Sequence, residues 1–198
     1  MQKEIVGILL AGGLSRRFGS PKAFAEIDGK KYYEISYHIL EEISNEVIIV
    51  TRPELMHKFP ENKRVITDEK RFSGCGPLAG IYSAMKEQLA SRYIVLPCDM
   101  PLLTKEIVKR LLALHVKEVT IPVVEDKLQP LVSVWNYSML EKIETVLKRK
   151  RYKMTEALKK AEVSYIDIKV LTETPNAFLN INSPEDEKEA KRWKVNLS

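Results

Sequence analysis

At 198 residues, 44% of them apolar and 10 of them proline, the chain has the length and composition of one domain with a sizeable core. Its 32 basic and 27 acidic residues leave a net charge of +5, and it has no run of about 18 apolar residues to cross a membrane. Cys75 and Cys98 form no C-x-x-C pair and His38, His57 and His115 are scattered, so no zinc site is readable.

Met1-Gln2-Lys3-Glu4 has no signal-peptide layout and runs directly into strand sequence, so a cytoplasmic location is expected. The first predicted strand covers 4–10, followed by a helix over 32–43 and strands over 46–51 and 64–67. A helix over 77–90 comes next, with Leu78, Ile81, Tyr82, Met85 and Leu89 at helical spacing and Pro77 suited to its first turn. A strand over 92–97, a helix over 104–115 and strands over 118–123 and 130–135 follow. Helices over 137–149 and 152–161, a strand over 163–168 and a helix over 184–194 complete the order. Thr104 and Ser183 are expected N-caps, and Ser183-Pro184-Glu185-Asp186 has the form of a capping box. Such alternation argues for a mostly parallel sheet with helices on both faces, an α/β three-layer sandwich. Ligands in such sheets bind at the carboxyl ends of the strands.

The most informative stretch is the exit from the first strand, AGGLSRRFGSPKA. It holds Gly12, Gly13 and Gly19, with Arg16, Arg17, Lys22, Ser15 and Ser20 among them. Glycines let backbone approach a ligand, and N–H groups flanked by cations suit a polyanion such as a triphosphate. It is neither a Walker A loop, since five residues separate Gly13 from Gly19, nor a G-x-G-x-x-G fingerprint, since Gly12 and Gly13 are adjacent.

Asp68 and four later motifs carry the remaining candidates, two of them carboxylates just past predicted strands. Pro97-Cys98-Asp99-Met100-Pro101-Leu102 places a carboxylate where it could hold Mg²⁺. Asp99 lies five residues before Thr104, too far to cap that helix. Asp68 ends another strand, where a carboxylate reads a purine edge or ribose hydroxyls, or simply makes a turn. Gly74-Cys75-Gly76-Pro77-Leu78-Ala79-Gly80 leads into a helix whose N-terminus either faces an anion or only begins the helix. Gln129-Pro130-Leu131 precedes a strand, and Asn180 with Asn182 offers amides suited to a neutral polar heterocycle; capping is the other use of Asn182 and Ser183. The basic run Lys148-Arg149-Lys150-Arg151 with Lys153 reads as a solvated helix end rather than a nucleic-acid surface.

The first block resembles L-A-G-G-x-S-x-R-M-G-x-x-K, the opening signature of nucleotidyltransferases, with Phe18 in place of Met. All five blocks together, from about Ile8 to Asp186, resemble the molybdenum cofactor guanylyltransferases, which make molybdopterin guanine dinucleotide. The resemblance implies a single nucleotidyltransferase domain over 1–198, Rossmann-like and of the nucleotide-diphospho-sugar transferase type. It implies that Leu10, Ala11, Gly12, Gly13, Lys22, Asp68 and Asp99 bind GTP, with Asp99 also holding Mg²⁺. Lys22, Arg17 and Asp99 are the expected catalytic residues, and Gln129, Pro130, Asn180 and Asn182 the expected pterin side. The partners so implied are GTP and molybdopterin, without nucleic acid or membrane, leaving room for transient contact with cofactor-delivery or molybdoenzyme proteins. Thr51 stands where many members have an asparagine that contacts the nucleotide, which leaves base preference open. The alternatives are cytidylyl transfer to the same pterin, guanylyl transfer to another phosphorylated molecule, or a non-catalytic nucleotide-binding module.

Overall fold

The computed structural model describes residues 3–13 and 21–195. β1 (Lys3–Leu10) leads through β2 (Glu26–Ile27) and β3 (Lys30–Lys31) to α1 (Tyr32–Ile43), then β4 (Glu46–Val50) and β5 (Arg64–Ile66). α2 (Pro77–Glu87), β6 (Ala90–Pro97), α3 (Lys105–Ala113), β7 (Val119–Val124), β8 (Lys127–Leu128) and β9 (Ser133–Asn136) follow. α4 (Met139–Lys148), α5 (Met154–Leu158), β10 (Val163–Asp167), α6 (Ile168–Leu171) and α7 (Pro184–Val195) complete the described chain.

The main sheet runs β10-β7-β9-β6-β1-β4-β5, with β8 paired to β7. Only β9 and β8 pair antiparallel in it; the β1–β4, β1–β6, β4–β5 and β7–β10 pairs are parallel. Strand alternation divides the core between the faces. Leu9, Val47, Ile49, Ile94 and Leu96 pack in one cluster with residues of α1, α3 and α6. Val6, Ile8, Ile48, Val50 and Val95 pack in another with α2, α4 and α5. The expected three-layer α/β sandwich is therefore what forms. A smaller cluster of Ile27, Tyr32, Leu102, Ile181 and Ala190 seats α7 on the β2–β3 hairpin.

Several expected boundaries shift. The strand expected from residue 130 begins at Ser133, because β9 pairs on both sides and Pro130 could not donate to a ladder there. The helix expected over 152–161 is confined to Met154–Leu158. The expected caps form: Thr104 accepts from the Ile107 N–H at 3.4 Å, and Ser183 and Asp186 cap each other's backbone N–H groups.

Candidate active site

Leu10 pairs with both Val50 and Pro97, and Val50 pairs with Ile66, so β1, β4, β5 and β6 end in one row. The backbone extends that row: the N–H of Ala11 donates to the Val50 carbonyl at 2.8 Å and that of Cys98 to the Leu10 carbonyl at 3.2 Å. Residues leaving each strand must therefore share one edge. β9 runs the other way, so its approach reaches the same edge, with Ser133 opposite Val95 and Leu131 in the cleft. A cleft of about 560 Å³ opens there. It is lined by all the residues expected on the nucleotide side: Leu10, Ala11, Gly12, Gly13, Lys22, Asp68 and Asp99.

Lys22 begins a short 3-10 turn, Lys22–Phe24, and its side chain is nearly buried. Its ammonium donates to Asp99 Oδ2 at 2.7 Å, to the Ile181 carbonyl at 2.9 Å and to Asn182 Oδ1 at 2.7 Å. Three motifs far apart in sequence thus meet on one nitrogen. The Ile181 N–H also donates to the Asp99 carbonyl at 2.9 Å, tying the same two segments by backbone. The other Asp99 oxygen, Oδ1, is buried without a hydrogen-bond partner. Such an oxygen fits a hard cation that completes its shell with phosphates and water. Among the described residues no group of three or more His, Cys, Asp or Glu could hold a metal ion by itself.

Asp68 stands on the opposite wall. Its Oδ2 accepts the Gly74 N–H at 3.1 Å, and burial raises its pKa above the ordinary carboxylate value. Gly74 and Gly76 have φ of +73° and +83°, a conformation L side chains rarely adopt, and they turn the loop into α2. The first turn of α2 lines the cleft through Pro77 and Gly80.

Residues 7–163 match the model of the MobA-like NTP transferase domain. The chain belongs to the MobA-like NTP transferase family. It is 37% identical over 187 residues to a probable molybdenum cofactor guanylyltransferase of Halalkalibacterium halodurans, covering 91% of this chain and 94% of that one. A protein of the same description from Bacillus velezensis is 39% identical over 188 residues, covering 91% and 92%. The crystal structure of molybdopterin-guanine dinucleotide biosynthesis protein A from Archaeoglobus fulgidus shares the fold, with a TM-score of 0.81 at 23% identity over 96% of this chain and 99% of that one.

Within this MobA-like site, the residues expected on the pterin side are not among those lining the cleft. Gln129 and Pro130 flank Leu131 but do not line the cleft themselves. Asn182 turns its amide oxygen to Lys22, while Asn180 Oδ1 is buried without a hydrogen-bond partner. Arg17 lies outside the described residues. Thr51 is buried and donates its hydroxyl to the Ala11 carbonyl at 3.1 Å, so its one donor holds the backbone just after β1. Cys98 is buried, and desolvation followed by the neighbouring Asp99 charge pushes its thiol up to about 12. Arg52 was missed: it lines the cleft, and its Nη1 lies 2.8 Å from Glu54 Oε1. It follows the carboxyl end of β4 by two residues, so the strand-end rule that singles out Asp68 also reaches it.

Proposed function

We propose that the protein transfers GMP from GTP to the terminal phosphate of the molybdopterin cofactor, releasing pyrophosphate. The observation that carries this reading is the convergence of residues 10–13, 22, 68 and 99 on a single cleft. The names borne by relatives at 37% and 39% identity support the choice of substrates.

The acceptor phosphate oxygen attacks the α-phosphorus, so no protein nucleophile is needed and the residues work by positioning and charge. Gly12 and Gly13 give the nucleotide a wall without side chains. Lys22 sets a positive charge beside Asp99, and Arg17 is the second cation for phosphate charge. Asp99 would hold Mg²⁺, which when bound neutralises charge shared between the phosphates. Asp68 faces the base or ribose. Gln129, Pro130 and Asn180 flank the acceptor side.

A cytoplasmic location suits two free cysteines, and no helix among the described residues is long and apolar enough to cross a membrane. Neither nucleic acid nor a lipid surface has a part in this reading; a transient contact with a cofactor-delivery or molybdoenzyme protein would serve the acceptor's transfer. The test supplies each of the four nucleoside triphosphates with Mg²⁺ and the pterin acceptor and follows pyrophosphate release. Release with GTP is expected. Release with CTP alone assigns the cytidylyl reaction, and binding without release assigns a nucleotide-binding module.

A further inference from the structure

The asparagine block was expected to face the acceptor, yet the Asn182 oxygen is spent on Lys22. What holds Asn182 in place is also visible. Its backbone N–H donates to Asp186 Oδ2 at 2.7 Å, and the Ser183 N–H donates to the same oxygen at 2.9 Å. One carboxylate in the first turn of α7 therefore fixes the turn that aims both Asn182 Oδ1 and the Ile181 carbonyl at the Lys22 ammonium. Behind that turn, Ile181 is fully buried in the cluster that seats α7.

We propose that Asn182, its turn fixed by Asp186, is a positioning residue for Lys22 and, through Lys22, for the Asp99 carboxylate. Asn182 and Asp186 then serve the nucleotide half of the cleft, with Asn180 left to the acceptor side. An ammonium has three N–H groups arranged tetrahedrally. Among the described residues the Lys22 ammonium donates to the Asp99 carboxylate and twice to the 181–182 turn, so that turn helps set the direction of the bond to Asp99. Without Asn182 the ammonium loses one of the acceptors that orient it, and its bond to Asp99 Oδ2, which leaves Oδ1 for another partner, is less fixed in direction. The link also couples the two substrate halves, because an acceptor that shifts residues 180–182 shifts Lys22. The coupling to nucleotide rests on the proposed guanylyl transfer; the link between Asn182 and Lys22 does not.

The experiment compares the full chain with its Asn182→Ala and Asn182→Asp variants. Asn182→Asp keeps an oxygen for Lys22 but removes the amide donors that an acceptor would use. The first readout needs no ligand: acylation of the Lys22 amine by an amine reagent, read by mass spectrometry. Faster labelling of Lys22 in Asn182→Ala, by about threefold or more, with Asn182→Asp close to the parent, is expected. Equal labelling of Lys22 in the parent and Asn182→Ala overturns the proposal. The second readout is the dissociation constant of Mg–GTP without acceptor. About tenfold weakening is expected in Asn182→Ala, the scale of one hydrogen bond to a charged group, and little in Asn182→Asp. If the parent binds Mg–GTP and Asn182→Ala binds it equally well, the coupling is refuted. If the parent binds no GTP, the proposed function fails and the labelling result still judges the link.

Discussion

Lys22 Nζ lies 2.7 Å from Asp99 Oδ2, a contact across 77 residues of sequence. It joins the loop after β1 to the segment after β6, two neighbouring parallel strands whose ends are in register at Leu10 and Pro97. The sheet brings the backbones together, and the pair fixes the distance between the start of the Lys22–Phe24 turn and the Asp99 carboxylate.

Removing that ammonium should affect both stability and nucleotide binding. In Lys22→Ala, Asp99 Oδ2 and the Ile181 carbonyl lose a charged donor, a loss of about 1–3 kcal/mol. Lys22→Arg should recover little, because a planar guanidinium cannot replace a compact ammonium among three acceptors at 2.7 to 2.9 Å. Thermal denaturation and titration calorimetry with GTP measure the two effects. Unchanged affinity in a folded Lys22→Ala protein would remove Lys22 from the phosphate site.

For Asp99 the expected loss is catalytic. Asp99→Asn preserves the side-chain shape and can still accept from Lys22, so the fold should survive with a normal melting profile. The charge that would hold Mg²⁺ is gone, and turnover should fall about a hundredfold or more, the scale for a principal electrostatic group. Steady-state pyrophosphate release measures it. Near-normal turnover in the folded variant would take the metal away from Asp99.

Much of this arrangement was legible because it follows from chain-order rules. Val/Ile runs locate the strands, and each candidate carboxylate lies just past one of them. The contact between Lys22 and Asn182 was not legible, since nothing in an N-x-N spacing distinguishes an amide aimed at a ligand from one aimed at a lysine 160 residues away. The two small hairpins differ instructively. Asp28-Gly29, with φ of +52° and +73°, carries a recognisable hairpin dipeptide, but its two-residue strands lack any apolar alternation. The turn between β7 and β8 uses Glu125 and Asp126 at φ of +47° and +62°, residues that carry no such signal. Helix ends were the other shortfall: the helix expected to reach residue 90 stops at Glu87, where the chain turns into β6.

Gly7 provides a stability test away from the chemistry. A Cβ there would lie 2.9 Å from the Leu40 Cβ and 3.0 Å from Ser44 Oγ, so α1 would have to move off β1. Leu40 Cβ is fixed to the helix backbone and cannot simply rotate away. Gly7→Ala should cost about 1–3 kcal/mol, the usual range for overpacking a core. For a chain of this length that lowers the melting temperature by about 2–4 °C per kcal/mol. Base preference should be unaltered, because Gly7 precedes the cleft-lining Leu10 by three residues. A variant as stable as the parent would mean that α1 yields without cost.

At Asp68 stability and base recognition pull in opposite directions. Burial raises its folded-state pKa, so the ionised carboxylate destabilises the fold at neutral pH. The sign follows: its favourable contribution is present below the unfolded pKa and is lost as pH rises through the higher folded value. Asp68→Asn removes the charge and can still accept the Gly74 N–H through its amide oxygen. The variant should therefore melt higher than the parent at pH 7, with the difference shrinking as pH falls toward about 3, below the ordinary aspartate value. Its nucleotide preference should move the other way. A carboxylate can accept from the N1–H and N2–H₂ of guanine but meets acceptors on the corresponding edge of cytosine. The bidentate contact carries roughly 1–3 kcal/mol of discrimination, borrowing the scale for base edges. Competition between GTP and CTP in parent and variant, alongside melting curves at both pH values, tests the two halves separately. A variant that gains stability but keeps its base preference confines Asp68 to the ribose or the Gly74 turn, and a parent that prefers CTP overturns the guanine assignment.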